Sequence, residues 1–307
     1  MTAISTVEME RSATQPAQGV EPRPISIVVP AYNEAQNIGA QIARIRQVMD
    51  SSIWPYELII VDDGSTDGTP GEVLRHDARL IRQPRNFGYG AALKKGIAEA
   101  KNEWIVIIDA DGTYPAEEIP RMLELAAEND MVVGARIGQD VNIPLPRRPA
   151  KWVLARLSGY LAQQPIPDLN SGLRVLKRNL VEKYEHLLPD GFSFTTTITL
   201  ALLCNHYRVH YHTINYAKRV GASKIRAGHA YQFMMLILRT VVYFNPLRVF
   251  LPLGLILFSL GLAKLIYDCF LWNLSESAVM CILSAVIIWC VGLLADQISK
   301  IGMSIRR

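Results

Sequence analysis

Residues 104–111 read WIVIIDAD, a run of bulky apolar residues that ends in two aspartates one residue apart. The apolar run has the length and composition of a buried β-strand. Because Asp109 and Asp111 follow that strand directly, both carboxylates can turn toward one point. Hard divalent cations such as Mg²⁺ and Mn²⁺ prefer carboxylate oxygens and often complete their coordination with substrate phosphates. Many surface turns contain such a triplet, but its position after a buried strand favours a metal site.

Strand and helix patterns alternate on both sides of this stretch. Further strands are predicted at 25–29, 58–61, 80–81 and 131–133, and helical spacing follows from residues 33, 91 and 116. This order predicts right-handed βαβ units and an α/β domain with a mainly parallel sheet. Ligands of such sheets bind at the carboxyl ends of the strands. Those ends carry polar side chains that belong to a site rather than to packing: Tyr32, Glu34, Asp62, Asp63, Asp109 and Asp111.

The first two predicted strands end in PAYNE at residues 30–34 and VDDGSTD at residues 61–67. A tyrosine at a strand end can stack on a nucleobase, and carboxylates can accept hydrogen bonds from a base N–H and from ribose hydroxyls. These motifs therefore predict a nucleotide site. Asp62 and Asp67 also fit as helix caps or turn formers, and for Asp67 we favour that interpretation.

The net charge of +4 at pH 7 is modest for 307 residues and argues against a nucleic-acid-binding protein, which would carry a denser basic face. Basic residues gather instead beside the apolar C-terminal part of the chain. This placement favours a membrane surface, or a phosphate near one, as the partner, although ordinary solvated charges give the same pattern. No CxxC pair or zinc-like His/Cys spacing is present, so we expect four free thiols: Cys204, Cys269, Cys281 and Cys290.

Two apolar segments, at about 249–271 and 277–296, have the length that a membrane-spanning helix needs. The first contains Lys264 and Asp268, which would lie near the far interface, where lysine can snorkel and pair with an acid one turn away. The connection between the segments has no Lys or Arg, whereas both flanks do, so the positive-inside rule places both termini in the cytoplasm. A pair of buried helices in a soluble core is the alternative.

Three further segments flank these two parts. Residues 1–23 are polar and lack an apolar signal sequence, which predicts a disordered leader. Residues 227–248 predict either an amphipathic helix in the membrane interface or a core helix. Residues 299–307 are basic and predict a cytoplasmic tail.

The motifs of the predicted α/β domain occur together and in order: PAYNE, VDDGSTD, RNFGYGAAL at 85–93, DADGTYP at 109–115 and GAR at 134–136. This series resembles glycosyltransferase family 2, whose catalytic domain has the GT-A fold, over about residues 24–226. The later motifs, DLNSGLR at 168–174, RVGASK at 219–224 and FNPLR at 244–248, resemble its polyprenyl-phosphate branch. That branch includes dolichyl-phosphate mannose synthases and undecaprenyl-phosphate glucosyltransferases, and its members often carry a two-helix C-terminal hairpin.

The resemblance implies a role for each matching residue. Nucleotide contacts fall on Pro30, Tyr32, Glu34, Asp62 and Asp63, and the metal and diphosphate fall on Asp109, Ala110 and Asp111. Contacts with the acceptor phosphate, and between the phosphate groups, fall on Arg136, Arg147 or Arg148, Arg219, Ser223 and Lys224. Asp168 matches an acidic position near the acceptor with a proposed catalytic role, and a turn or helix cap is its structural alternative. Thr113 stands where many relatives have glutamine.

The implied enzyme is an inverting hexosyltransferase that uses Mg²⁺ or Mn²⁺. It would move a sugar from a UDP- or GDP-linked donor to a polyprenyl phosphate and leave a β-linked lipid-phosphate sugar. The arginines favour this acceptor independently, because planar guanidinium groups suit phosphate oxygens. A bacterial plasma membrane is the expected location. The sugar, the nucleotide (with UDP slightly favoured) and a homo-oligomeric state stay open.

Other functions fit less well. A processive polysaccharide synthase of the same superfamily usually carries a QxxRW motif and more membrane helices, and neither is found. A non-catalytic membrane scaffold would be expected to lack an aspartate of the Asp-x-Asp triplet or the arginines, which are all present. A dinucleotide-binding oxidoreductase needs a full GxGxxG fingerprint after the first strand, whereas only Gly88-Tyr89-Gly90 occurs. A family 2 enzyme with another membrane or glycan acceptor stays open.

Overall fold

The structure is a computed structural model, and it describes residues 21–76, 78–136, 159, 166–191, 193–215, 235, 242–243, 245–272 and 275–304. Seven strands form one sheet in the order β3-β2-β1-β4-β6-β5-β7. They are β1 (Ile25–Ala31), β2 (Tyr56–Asp62), β3 (Arg79–Arg82), β4 (Trp104–Ile107), β5 (Met131–Ala135), β6 (Arg174–Lys177) and β7 (Val209–Thr213). Neighbours are parallel except for β6, which runs antiparallel to β4 and β5. The predicted mainly parallel sheet is confirmed.

Helices cover both faces of the sheet. They are α1 (Ile38–Asp50), α2 (Thr69–Leu74), α3 (Tyr89–Ala98), α4 (Ile119–Leu125), α5 (Arg178–Tyr184) and α6 (Phe194–Cys204). Alternate residues of β2 point to opposite faces: Ile60 packs with α1 and α4, whereas Ile59 and Val61 pack with α3 and α6. Two apolar cores therefore hold the sheet between them and leave the strand ends for the site.

The first strand passes through its proline, contrary to the prediction that the strand ends there. Pro30 pairs in register with Val61 of β2, and β1 continues to Ala31. The carbonyl of Val28 accepts a hydrogen bond from the backbone N–H of Ile108, so this edge of β1 faces β4, whose pairing ends at Ile107. The N–H that proline lacks would point to that same edge, so the pairing with β4 ends there while the pairing with β2 continues.

Other boundaries also differ from the sequence prediction. Helix α1 begins at Ile38 rather than near residue 33, because Asn33 has φ +54°, which a helix excludes. Helix α2 and strands β6 and β7 were not predicted. These elements are short, and short apolar runs carry no decisive periodicity.

Two long apolar helices follow the sheet domain: α7 (Leu247–Phe270) and α8 (Glu276–Ser304). Both are long and apolar enough to cross a membrane, and most of their residues are exposed, unlike helices of a soluble core. The predicted pair within α7 is present, with Lys264 Nζ 2.6 Å from Asp268 Oδ1. Helix α7 begins two residues before the predicted first span, and α8 continues through the start of the predicted tail.

Candidate active site

The ends of β1 and β2 are joined by hydrogen bonds between their following loops. The backbone N–H of Asn33 donates to Ser65 Oγ at 2.9 Å, and the Asn33 side-chain Oδ1 accepts from the N–H of Thr66 at 2.9 Å. The N–H of Glu34 donates to Thr69 Oγ1 at 2.9 Å. The two predicted nucleotide motifs therefore form one surface, on which Tyr32 and Glu34 are partly exposed.

Two adjacent aspartates at the end of β2 help to hold this surface together. Asp62 is buried, and its Oδ1 accepts the N–H of Ser65 at 3.0 Å. Asp63 accepts the N–H groups of Phe87 and Gly88, both at 2.8 Å. Burial, and after it the charge of Asp62, raises the pKa of Asp63 above its ordinary value, against the lowering effect of those two hydrogen bonds.

Asp67 has the turn role that the sequence analysis favoured. Its Oδ1 accepts hydrogen bonds from the N–H and the hydroxyl of Thr69, and its Oδ2 accepts the N–H of Ala35. The carboxylate thus joins the loop after β2 to the loop after β1.

The Asp-x-Asp triplet lies on a turn at the end of β4. Tyr89, at the start of α3, donates its hydroxyl to Asp109 Oδ1 at 2.9 Å. Thr113 donates its hydroxyl to Asp111 Oδ1 at 2.6 Å and its N–H to the same oxygen at 3.1 Å. Burial, followed by the charge of Asp109, raises the pKa of Tyr89, so this phenol stays a hydrogen-bond donor at neutral pH.

A second set of predicted residues meets on the other side of β4. Arg136, directly after β5, forms a two-pronged ion pair with Asp168: Nε lies 2.6 Å from Oδ2 and Nη2 lies 2.9 Å from Oδ1. The backbone N–H of Arg136 also donates to Oδ2 at 3.2 Å. Burial would raise the pKa of Asp168, but the hydrogen bonds and charge of Arg136 outweigh it and hold that pKa below its ordinary value.

The loop that carries Asp168, residues 168–173, reaches the turn after β4 that carries Asp109 and Asp111 (residues 109–114, the metal-type turn). A Cβ atom at Gly172 would collide with the Asp109 carboxylate, so only glycine fits this approach. The N–H of Gly172 donates to the hydroxyl of Tyr114 at 2.7 Å, which fixes the loop against the same turn. The structure therefore brings Asp109 and the 168–173 loop into contact.

A buried arginine supports this loop from below. Arg174 is fully buried, and its guanidinium donates to the carbonyls of Ser171 at 2.8 Å and Leu169 at 2.9 Å. A third bond goes to Thr199 Oγ1 on α6 at 2.6 Å. Arg174 thus ties the loop to α6, which the loop also contacts where the Thr196 hydroxyl donates to Asn170 Oδ1 at 2.6 Å.

The backbone of the Gly88-Tyr89-Gly90 triplet packs against other backbone and leaves no room there for a bound phosphate. A Cβ atom at Gly88 would meet the carbonyl of Asp190, and one at Gly90 would meet the carbonyl of Pro189. The N–H of Ala91 already donates to the Asp190 carbonyl at 3.0 Å. Backbone packing explains these glycines, and the oxidoreductase interpretation loses its motif.

The remaining predicted contacts lie outside the described residues: Arg147, Arg148, Arg219, Ser223 and Lys224. Within the part of the chain that is described, no group of three or more His, Cys, Asp or Glu side chains could hold a metal by itself. Two partly exposed carboxylates on one turn, Asp109 and Asp111, suit a cation that shares its coordination with substrate phosphates. The four cysteines, all described, are free, as predicted.

The chain belongs to glycosyl transferase family 2, whose model matches residues 26–185. A second model, the GtrB C-terminal hairpin, matches residues 245–301 and agrees with α7 and α8 as a membrane-associated hairpin. The predicted resemblance to this family and to its hairpin-bearing members is confirmed.

Two relatives are similar over most of their length. A dodecaprenyl-phosphate galacturonate synthase of Rhizobium johnstonii is 28% identical over 96% of this chain and 93% of its own. A dolichyl-phosphate hexose transferase of Haloferax volcanii is 31% identical over 66% of this chain and 86% of its own. Among solved structures, glucosyl-3-phosphoglycerate synthase from Mycobacterium tuberculosis, with Mn²⁺, UDP and its product, has a TM-score of 0.58. It is 22% identical over 71% of this chain and 80% of that one, which supports the GT-A-like fold.

Several residues of the site were not singled out by sequence reasoning. Tyr89 and Arg174 lay inside motifs that were quoted for the resemblance, but neither was given a role. Thr113 was noted only as a departure from glutamine. A signal was available for Gly172 alone, since a glycine after a turn often marks a close backbone approach.

Proposed function

We propose that the chain transfers a sugar from a nucleotide-sugar to a polyprenyl phosphate. The observation that carries this proposal is the contact between Gly172 and the Asp109 carboxylate, which joins the metal-type turn to the loop that carries Asp168. A donor diphosphate at the turn and an acceptor phosphate near Arg136 would then be neighbours. The activities of the two relatives, a dodecaprenyl-phosphate galacturonate synthase and a dolichyl-phosphate hexose transferase, support the choice of a polyprenyl-phosphate acceptor.

The donor would bind at the ends of β1, β2 and β4. Pro30, Tyr32 and Glu34 would contact the nucleotide from the end of β1, and Asp62 and Asp63 from the end of β2. The hydrogen bonds between these loops support this assignment, because they keep the surface in place before any ligand binds. Asp109, Ala110 and Asp111 would face the diphosphate, and Mg²⁺ or Mn²⁺ held there would neutralise its charge as it departs.

The acceptor would approach along the arginine side of the site. Arg136, with Arg147 or Arg148, would orient the lipid phosphate, and Arg219, Ser223 and Lys224 would bridge the phosphate groups. A phosphate monoester has a second pKa of about 6, so it is largely dianionic at neutral pH and needs no strong general base. Asp168 would act through Arg136, since it is ionised and bonded to that guanidinium.

The reaction is a single displacement at the anomeric carbon. The bond from that carbon to the donor diphosphate breaks, and its electron pair leaves with the nucleoside diphosphate. An oxygen of the lipid phosphate forms the new bond from the opposite face, so an α-linked donor gives a β-linked product. Positioning and charge stabilisation of an oxocarbenium-like transition state would supply the catalysis.

Helices α7 and α8 would keep the sheet domain beside its lipid substrate. We infer that both ends of the hairpin are cytoplasmic and that the membrane is a bacterial plasma membrane, because the basic residues flank the hairpin and its tip has none.

A transfer assay tests the proposal. Purified full-length protein in detergent is given undecaprenyl phosphate, Mn²⁺ or Mg²⁺ and a panel of UDP- and GDP-sugars, and the lipid product is followed by mass. One donor should yield a lipid-phosphate sugar, and EDTA should stop the reaction. Nucleotide binding without any lipid product would reject the acceptor and point to a protein, glycan or glycolipid instead.

A further inference from the structure

Each aspartate of the metal-type turn is held by a hydroxyl from a different part of the chain. Tyr89 reaches Asp109 Oδ1 at 2.9 Å from the start of α3. Thr113 reaches Asp111 Oδ1 at 2.6 Å from within the turn. A carboxylate is planar, so fixing one of its oxygens also fixes the direction of the other.

Thr113 is turned inward rather than toward a ligand. Thr113 is buried, with 3% exposure, and its hydroxyl and its N–H both donate to the same oxygen of Asp111. Gly112 allows this return because its φ of +72° is costly for other residues. The hydroxyl at position 113 therefore orients an aspartate and does not itself face a cation.

The backbone on both sides of Tyr89 is held in place. Its neighbours Gly88 and Gly90 pack against the backbone of residues 189–191, and the N–H of Ala91 donates to Asp190. On the other side of Asp109, Gly172 closes against the carboxylate. These contacts fix the start of α3, from which the Tyr89 hydroxyl donates to Asp109 at the end of β4.

We propose that Tyr89 and Thr113 are positioning residues of the cation site, which orient Asp109 and Asp111 toward a shared Mg²⁺ or Mn²⁺. This inference rests on the proposed function, because it presumes that the two aspartates hold the cation. Partners of metal-binding side chains that themselves do not touch the metal commonly change its affinity by about 10- to 100-fold. Both hydroxyls orient the aspartates before the cation binds. Their removal should therefore change the affinity for the cation rather than the binding of the acceptor.

Isosteric variants separate the hydroxyls from their bulk. Tyr89→Phe and Thr113→Val remove one donor each, and Thr113→Ser keeps it. Tyr56→Phe is the matched control, because Tyr56 makes the same kind of bond, to Asp50 Oδ1 at 2.6 Å, at the other end of β2. Mn²⁺ binding to the full-length protein in detergent with saturating UDP, or GDP, is measured by calorimetry and by the Mn²⁺ paramagnetic resonance signal.

Mn²⁺ binding should weaken about 10- to 100-fold in Tyr89→Phe and in Thr113→Val, and stay near wild type in Thr113→Ser and Tyr56→Phe. In an Asp111→Asn background, Thr113→Val should add little, since the partner that it orients is already impaired. Circular dichroism of each variant verifies the fold.

Two results would overturn the inference, and they differ. Wild-type affinity in folded Tyr89→Phe and Thr113→Val, with binding lost in Asp111→Ala, rejects the positioning role alone. No Mn²⁺ binding by the wild type with either nucleotide rejects the cation site of the proposed function, and this inference falls with it.

Discussion

Arg136 and Asp168 bind each other through two parallel hydrogen bonds, from Nε to Oδ2 at 2.6 Å and from Nη2 to Oδ1 at 2.9 Å. The sequence analysis had assigned both residues to the acceptor side but not to each other. The pair explains why Asp168 differs from an ordinary catalytic base: its oxygens accept from Arg136 and, at Oδ1, from the N–H of Asn170 at 3.0 Å. A carboxylate engaged in this way positions a guanidinium more readily than it removes a proton.

Removing either member should weaken use of the acceptor. We expect Arg136→Ala to lower kcat/KM for polyprenyl phosphate about 30-fold or more, since losing one partner of a partly buried charge pair costs roughly 2 kcal/mol or more. Arg136→Lys should recover only part of this loss, because an ammonium cannot form the two-pronged bond. Donor affinity, measured by nucleotide binding, should stay unchanged. Unaltered acceptor kinetics in Arg136→Ala would remove this residue from the site.

The pH dependence distinguishes positioning from base catalysis at Asp168. Its folded pKa lies below the ordinary value, so the pair's stabilisation is complete above the unfolded pKa of about 4 and is lost as pH falls through the folded pKa. Asp168 therefore does not titrate between about pH 6 and 8. Asp168→Asn should lower kcat across that range without moving either limb of the profile, and loss of an acidic limb would instead identify a general base.

Asp111→Ala should abolish metal-dependent transfer while the protein stays folded. Only one carboxylate of the Asp-x-Asp triplet would remain for the cation, and Thr113 would lose the oxygen that its hydroxyl and N–H share. Turnover against Mn²⁺ concentration is the measurement, with Glu99→Ala, a surface carboxylate after the far end of α3, as the control. Full activity in Asp111→Ala would reject the metal assignment.

The sheet and its acidic strand ends could be predicted because their signals are local. The run from Trp104 to Asp111 contains a buried strand and its two aspartates within eight consecutive positions. Apolar runs and turn residues of this kind carry the information in their own neighbourhood. The hairpin could be predicted from sequence in the same way, including the ion pair between Lys264 and Asp268, which are one helical turn apart.

The contacts that complete the site could not be predicted, because they join distant positions. Tyr89 and Asp109 are 20 residues apart, and Tyr114 and Gly172 are 58 apart. Whether a tyrosine packs, stacks or donates depends on which strand lies beside it, and β6, the antiparallel strand beside β4, was itself not predicted. A buried arginine such as Arg174 even runs against composition, since arginine is rarely fully buried.

Arg174 gives a prediction that does not require removing its charge. Thr199→Val takes away the hydroxyl that Arg174 Nη1 contacts at 2.6 Å, and Thr199→Ser keeps it. The loosened guanidinium should hold the 168–173 loop less firmly, which raises KM for the acceptor several-fold and lowers the unfolding temperature, as an unpaired buried donor costs about 1 to 3 kcal/mol. Equal acceptor KM values in the Val and Ser variants would show that Thr199 does not support the loop.

Gln41 provides a stability prediction near the same turn. It is buried on α1, neither its Nε2 nor its Oε1 has a hydrogen-bond partner among the described residues, and its Oε1 lies close to Gly112. Gln41→Met keeps the length of the side chain and removes both unpaired groups. We expect the unfolding midpoint in a thermal-shift assay to rise by roughly 2 to 4 °C for each kcal/mol relieved. A lower midpoint would mean that the amide has a partner in solution, such as an ordered water.

The tip of the hairpin allows the topology to be tested directly. Trp272 lies just after α7, is 97% exposed and has φ +52°. If α7 and α8 span the membrane as proposed, its side chain would lie at the far interface, where tryptophan is favoured. In an active variant without Cys204, Cys269, Cys281 and Cys290, Trp272→Cys should react with a membrane-impermeant maleimide on intact bacterial cells. Ser51→Cys, exposed after α1, should react only once the membrane is permeabilised. The opposite pattern would put the sheet domain outside the cell. Protection of both positions until permeabilisation would mean that α7 and α8 do not cross the bilayer. In that case only an interfacial helix would keep the sheet domain beside its lipid substrate.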